Sequence, residues 1–240
     1  MAIIKTKDKI IRNLGDEILK YSDALIDLRY NYGVTKDGAN KTSRIKFKNN
    51  PNQSVIQETL SQQPIVDSNG IEFDGDLNQV VFYSGFVPTL KNVRIHIKYK
   101  HTEAGDRWLF LRRFDNDNRI EFAYHNGAFQ YWVNSDTFSH QIALTLGQTY
   151  WVSIIPTSVI SQNRYALYID SVDVSSSVSG VDLENTKGYM SIGDYVESNY
   201  STNAFAIYNV ELYNNQPFVT IQQGQDIAQN FINRTQWVKY

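Results

Sequence analysis

Residues 163–214, NRYALYIDSVDVSSSVSGVDLENTKGYMSIGDYVESNYSTNAFAIYNVELYN, read as a succession of strands and turns. Tyr165, Leu167 and Ile169 share one face of a period-2 pattern, the mark of a strand with one buried side. Asp170-Ser171 supplies turn residues ahead of Val172 and Val174. Gly188 and Gly193 bracket a short apolar strand. Phe205, Ile207, Asn209, Glu211 and Tyr213 then alternate with Ala206, Tyr208, Val210 and Leu212 in a long closing strand.

The same alternation runs upstream. Val93, Ile95, Ile97 and Tyr99 alternate with Arg94, His96, Lys98 and Lys100, which predicts an antiparallel strand with one wet, basic face. Strands follow at Trp108–Arg113 and Arg119–Tyr124. His125-Asn126-Gly127 reverses the chain into Phe129–Val133, Asn-Gly being the strongest short hairpin signal. Thr149–Ile155 is a further strand, closed by Pro156. Evenly spaced strands without helices between them predict an all-β antiparallel sandwich rather than an α/β fold. No internal repeat of roughly 20–50 residues marks a propeller or solenoid.

The ends read differently. Residues 31–64 are polar and turn-rich, with short strands at Arg44–Lys48 and Ser54–Thr59. Residues 1–30 form an N-terminal arm, and residues 31–240 hold the sandwich and its C-terminal tail. In the arm a short helix is predicted over residues 7–20. Ile11, Leu14, Ile18, Tyr21, Leu25 and Leu28 fall on an a/d seam that offers an oligomerisation segment. The competing reading ends the helix near Lys20 and makes Ala24–Tyr30 the first strand. In the tail, Ile227 and Phe231 stand four apart in a short amphipathic helix, and a tail ending in Trp237 and Tyr240 is apolar enough to dock.

The strand order resembles the concanavalin A-like (laminin-G-like) lectin superfamily. The resemblance rests on the strand, Asp170-Ser171 turn and strand, then the Ile192-Gly193 strand, then Phe205–Asn214. Gln63-Pro64-Ile65-Val66 followed by Gly70-Ile71-Glu72-Phe73-Asp74-Gly75 matches the family's entry into the sandwich. It covers roughly residues 45–214. Two departures stand out: the turn is Asp-Ser rather than Asp-Gly, and the closing strand lacks the usual glycine. The resemblance implies a jelly-roll sandwich and, often, sugar binding; it does not imply an enzyme.

Composition narrows the field. The chain has 240 residues, a net charge of −2 and no cysteine. That length builds a full core without staples. Disulfides and cysteine-held metals are excluded. The balanced charge argues against a nucleic-acid partner. No run of about 18 apolar residues suggests membrane insertion. MAIIKTKDKIIRNLGDEILK reads as no secretory signal, because charge interrupts its short apolar run. Sixteen tyrosines, twelve phenylalanines and four tryptophans among many Asn, Ser and Gln suit wet recognition surfaces.

Catalytic chemistry finds no support. Glycosidases on such folds need paired carboxylates at strand spacing; Asp170 and Asp173 flank a turn, and Asp115 and Asp117 lie in a turn-like run. Asp115-Asn116-Asp117-Asn118 resembles the start of a calcium loop but lacks its glycine and distal glutamate, so no cofactor is expected. His96, His101, His125 and His140 show no metal-ligand spacing, and nucleotide and nucleophile motifs are missing.

Ligand binding is expected at the aromatic hairpin instead. Sugar rings stack on aromatic faces while Asp and Arg bond their hydroxyls. The candidate glycan-binding residues are Tyr124, Tyr131, Trp132, Arg112 and Asp115. Strand alternation sends Tyr131 and Trp132 to opposite faces, and the reading puts Trp132 in the core and Tyr131 outward. A lectin-like chain without a secretion signal points to a non-catalytic virion structural protein, made in the host cytoplasm: a fibre, decoration or attachment component. Its expected partners are other virion proteins, surface polysaccharide and copies of itself. The alternative is a secreted or cell-surface carbohydrate-binding module.

Overall fold

The computed structural model describes residues 24–27, 34–46, 52, 54–67, 70–73, 81–83, 92–105, 107–115, 118–133, 136–159, 162–175, 189–192, 205–213 and 216–236. The predicted N-terminal helix and most of its a/d seam lie outside them. Seventeen strands and one α-helix are described. The strands are β1 (Ala24–Asp27), β2 (Val34–Lys36), β3 (Thr42–Lys46), β4 (Ser54–Ile56), β5 (Ile65–Asp67), β6 (Gly70–Phe73), β7 (Val81–Tyr83), β8 (Arg94–His101) and β9 (Arg107–Asp115). They continue as β10 (Asn118–His125), β11 (Ala128–Val133), β12 (Asp136–Gln141), β13 (Thr149–Val159), β14 (Gln162–Ile169), β15 (Val172–Asp173), β16 (Tyr189–Ile192) and β17 (Phe205–Tyr213). The helix, α1, is Ile221–Gln236.

The strands form two antiparallel sheets. The first runs β15-β14-β13-β8-β17-β6-β5, with β1 also paired to β17. The second runs β12-β11-β10-β9-β16-β7-β4-β3-β2. One core cluster joins them: Ile95, Ile97, Tyr99, Val152, Ile154, Leu167, Ile207 and Leu212 from the first sheet meet Ile45, Phe122, Phe129 and Tyr131 from the second. The fold is the predicted antiparallel β-sandwich. Of the two readings of the N-terminal arm, the strand holds for Ala24–Asp27, which lies along the second half of β17.

Both predicted hairpin turns form with positive φ at their central residues. Asn126 and Gly127 have φ 51° and 75°, and Asp170 and Ser171 have φ 49° and 65°. That double left-handed turn matches the twist of the flanking strands. Asp170 accepts the Trp151 backbone N–H at 3.0 Å, which fixes the second turn against β13. Pro156 does not close β13, which continues to Val159. Pairing with β8 ends at Ile154, so the missing N–H breaks no ladder bond there. Val219 takes up this edge, donating to Pro156 O at 3.2 Å and accepting from Ser158 N at 2.8 Å.

The closing strand departs from simple alternation. Ile207 pairs with Tyr99 and Asn209 with Lys98, so Tyr208 is an extra residue in a β-bulge. The bulge shifts the phase. Phe205, Ile207, Val210 and Leu212 all reach the core, while Asn209, Glu211 and Tyr213 turn to the opposite face. Gly70, at φ 127°, makes room for the bulge: a Cβ there would meet Ile207 O and come within 2.9 Å of Tyr208 Cδ1. Gly70→Ala is expected to destabilise the sandwich by at least about 2 kcal/mol, read from urea unfolding, because both the φ and the space are denied to alanine.

Candidate functional site

The densest polar cluster lies between the first sheet and α1, and it corrects the expectation of a wet face on β8. His96 is 1 % and Lys98 8 % exposed, because α1 covers them. Thr220 and Gln223 start the helix with reciprocal bonds: Gln223 N donates to Thr220 Oγ1 at 3.2 Å, and Thr220 N donates to Gln223 Oε1 at 2.9 Å. The face it presents is Gly224, Ala228, Phe231 and Thr235, at helical spacing. Gly224 lets the helix approach Tyr168, whose hydroxyl donates to Ile221 O at 3.1 Å. The amphipathic helix was expected, the covering of the basic strand was not, and Trp237 and Tyr240, on which docking of the tail was expected, lie outside the described residues.

Glu211 is the hub of this cluster. Arg234 donates to both of its carboxylate oxygens in a fork. Asn209 Nδ2 donates to Oε1 at 2.9 Å and the Tyr213 hydroxyl to Oε2 at 2.7 Å. Burial pulls the Arg234 guanidinium down, but Glu211 outweighs it and holds the pKa above its ordinary value. Burial and the Glu211 charge push the Tyr213 phenol up. The Arg94 guanidinium lies 4.3 Å from the centre of the Tyr213 ring. Lys98 donates to Thr235 O at 2.7 Å, capping the helix C-terminus from the sheet. Arg234 and Lys98 tie the helix to the sheet here, so the cluster reads as architecture.

The aromatic hairpin is built differently from its expectation. Tyr131 is 2 % exposed, and its hydroxyl crosses the sandwich to donate to Tyr165 O at 2.7 Å. Trp132 is 9 % exposed and packs with Ala123 on the other side of the sheet. The expected facing is therefore reversed. Tyr131 pairs with Phe122, a core ring, and Trp132 with Glu121, which is itself 1 % exposed on the other side of the sheet. Tyr124 also faces inward, edge-on to Phe129 with ring centres 5.5 Å apart, and its hydroxyl donates to Ile142 O at 3.1 Å.

The five candidates do not meet at one point. Arg112 pairs with Ile120 and Met190 on β9, and Asp115 pairs with Asn118 at the far end of β10. Tyr124 lies near the Asn126-Gly127 turn, about 20 Å from Asn118 along the strand. The side chains of Arg112 and Asp115, and residues 116–117 of the calcium-like run, lie outside the described residues. Among the described residues no group of three or more His, Asp or Glu could hold a metal ion.

A different set of side chains does gather on the outer face of β10–β12. The register brings Ala123 opposite Gln130 and Gln130 opposite Ser139, with His125, Ala128 and Gln141 in the adjacent row. Ala123 and Ala128, both 0 % exposed, form a fully buried floor of small residues beneath them. Ser139 and Gln141 are exposed, His125 and Gln130 half-buried. Asn126 Nδ2 donates to His125 Nε2 at 2.8 Å at the turn. Sequence reading missed this face because it looked for aromatic rings; the signal was the alternation of alanine with amide and hydroxyl residues.

No family model and no curated protein matches the chain. Solved structures do. A Trypanosoma rangeli sialidase in complex with sialic acid aligns at TM-score 0.58 and 12 % identity, over 86 % of this chain and 33 % of that one. The same sialidase with 2,3-difluorosialic acid aligns at 0.59 and 11 %, over 99 % and 40 %. The receptor binding domain of botulinum neurotoxin D aligns at 0.53 and 12 %, over 90 % and 54 %. The chain thus spans about a third to two fifths of the sialidase chains. At such identity the likeness is one of fold, an antiparallel β-sandwich.

The reversed facing makes a direct test. Tyr131→Ala is expected to cost about 3–5 kcal/mol in chemical denaturation, as for other large buried aromatics, with an added penalty at Tyr165 O.

Proposed function

We propose that the chain is a non-catalytic recognition module, the lectin-like part of a virion attachment component, which holds host-surface glycan on the outer face of β10–β12. The observation that carries this reading is the row of Gln130, Ser139, Gln141 and His125 around the Ala123–Ala128 floor. Amides, hydroxyls and imidazoles both donate and accept, which suits sugar hydroxyls. Trp132 is nine-tenths buried beside this floor, so recognition rests on hydrogen bonds more than on ring stacking.

The fold supports the reading as well. Its neighbours include a sialidase bound to sialic acid and a toxin's receptor binding domain, both proteins that meet carbohydrate or receptor. Assembly as a homo-oligomer with other virion proteins belongs to the same proposal. It would multiply weak single-site affinity, as hydrogen-bonded sugar sites require.

The test is a glycan array and a host-cell binding assay with the intact protein and the double variant Gln130→Ala, Gln141→Ala. Binding is expected to fall at least about tenfold, the loss of one or two net hydrogen bonds, while the melting temperature stays within a few degrees. Unchanged binding by the double variant, or the absence of binding by the intact protein in both assays, would contradict the proposal.

A further inference from the structure

Between α1 and the first sheet lies a buried imidazole that the recognition face does not use. His96 places Nδ1 2.6 Å from Ser153 Oγ. Its ring stacks on Phe231 of α1 with centres 4.8 Å apart and stands edge-on to Tyr213 at 5.8 Å. Charged and titratable groups surround it from every packed element. Arg94 and Lys98 share its strand; β17 brings Glu211 and Tyr213; α1 brings Arg234; β1 puts Asp27 at the register position opposite Asn209. The described part of β13 facing it is uncharged, with Trp151 and Ser153. Burial first, then Arg94 and Arg234, hold the imidazole's pKa well below its ordinary 6.5.

We propose that His96 is an acid-sensitive release for the C-terminal helix: protonating its ring frees α1 from the first sheet while the sandwich stays folded. The helix's anchors converge here. Phe231 lies on the imidazole, Arg234 forks onto Glu211, and Thr235 is held by Lys98 and by Trp151 Nε1 at 2.9 Å. A proton on His96 adds a fourth cation to Arg94, Lys98 and Arg234. Undocking returns that charge to water. The sandwich does not need the helix, because the core cluster between the sheets contains no residue of α1. The helix's own apolar contact is smaller: Ala228 with Ile155, Ala166 and Tyr168, joined by Val219, Ile221 and Ile227.

The sign follows from linkage. With the helix docked, His96 stays neutral; undocked, it titrates near its ordinary pKa. Below about pH 6.5 only the undocked form takes up the proton, so docking weakens up to about tenfold per pH unit until the docked pKa is reached. Between pH 7.5 and 5.0 the docking constant falls by up to about 30-fold. Release uncovers Lys98 and Trp151, a cation and an aromatic ring that the helix holds through Thr235.

Hydrogen exchange of the full chain at pH 7.5 and 5.0, corrected for intrinsic rates, reads this directly. Protection of residues 221–236 should fall severalfold, up to about 30-fold, on acidification, with β13 and β14 unchanged, and His96→Gln should abolish the difference. Three results overturn the proposal: helix protection that ignores pH, a pH effect that survives in H96Q, or loss of protection in β13 and β14 together with the helix. Should H96Q fail to fold, NMR of the wild-type imidazole decides. Titration of His96 must move with the helix resonances; titration at an ordinary pKa with those resonances unmoved refutes the release.

Discussion

The carboxylate of Glu211 is the constraint around which the outer face of the first sheet is arranged. It is 1 % exposed, and an uncompensated charge so placed would be costly. Three side chains answer it: Asn209 and Tyr213 from its own strand, and Arg234 from a helix that begins ten residues further on. The bulge at Tyr208 turns Glu211 and these two neighbours together onto the outer face of the sheet. The third sets the helix register, since a shift of one residue would carry Arg234 about 100° around the axis and off the carboxylate. A buried ion pair of this kind is weak as net stabilisation and strong as a choice of one arrangement over others.

That choice divides the molecule's two outer faces. On the first sheet, charge and aromatic groups are occupied by α1. On the second sheet, the β10–β12 end keeps amide and hydroxyl side chains in reach of solvent. Two inward-facing tyrosines hold that end in place, Tyr131 by its bond to the opposite sheet and Tyr124 by its bond to Ile142.

Much of the fold was legible locally. The strands, both left-handed turns and the helical tail follow from alternation, from Asn-Gly and Asp-Ser, and from the spacing of Ile227 and Phe231. What escaped is long-range. Lys98 and Thr235 are 137 residues apart, and nothing on β8 says that a helix covers its basic side. The alternation Tyr131-Trp132 announces two faces but not which is the core, because either ring fills a core. The bulge does leave a mark: the apolar set passes from Phe205 and Ile207 to Val210 and Leu212, a change of phase at Tyr208 that reading the strand as one unbroken alternation passes over. The polar face of β10–β12 was overlooked because hydrogen-bonding residues without aromatic company look like ordinary surface.

A double-mutant cycle on Glu211 and Arg234 tests the central claim most directly. Glu211→Leu and Arg234→Leu should each destabilise the protein by about 3–5 kcal/mol, since each leaves a buried charge unanswered. The double variant should be far less damaged than the sum, with a coupling of at least about 2 kcal/mol. Additive losses, with coupling below about 0.5 kcal/mol, would mean that the helix is held by its apolar contact alone and that Glu211 does not organise this face.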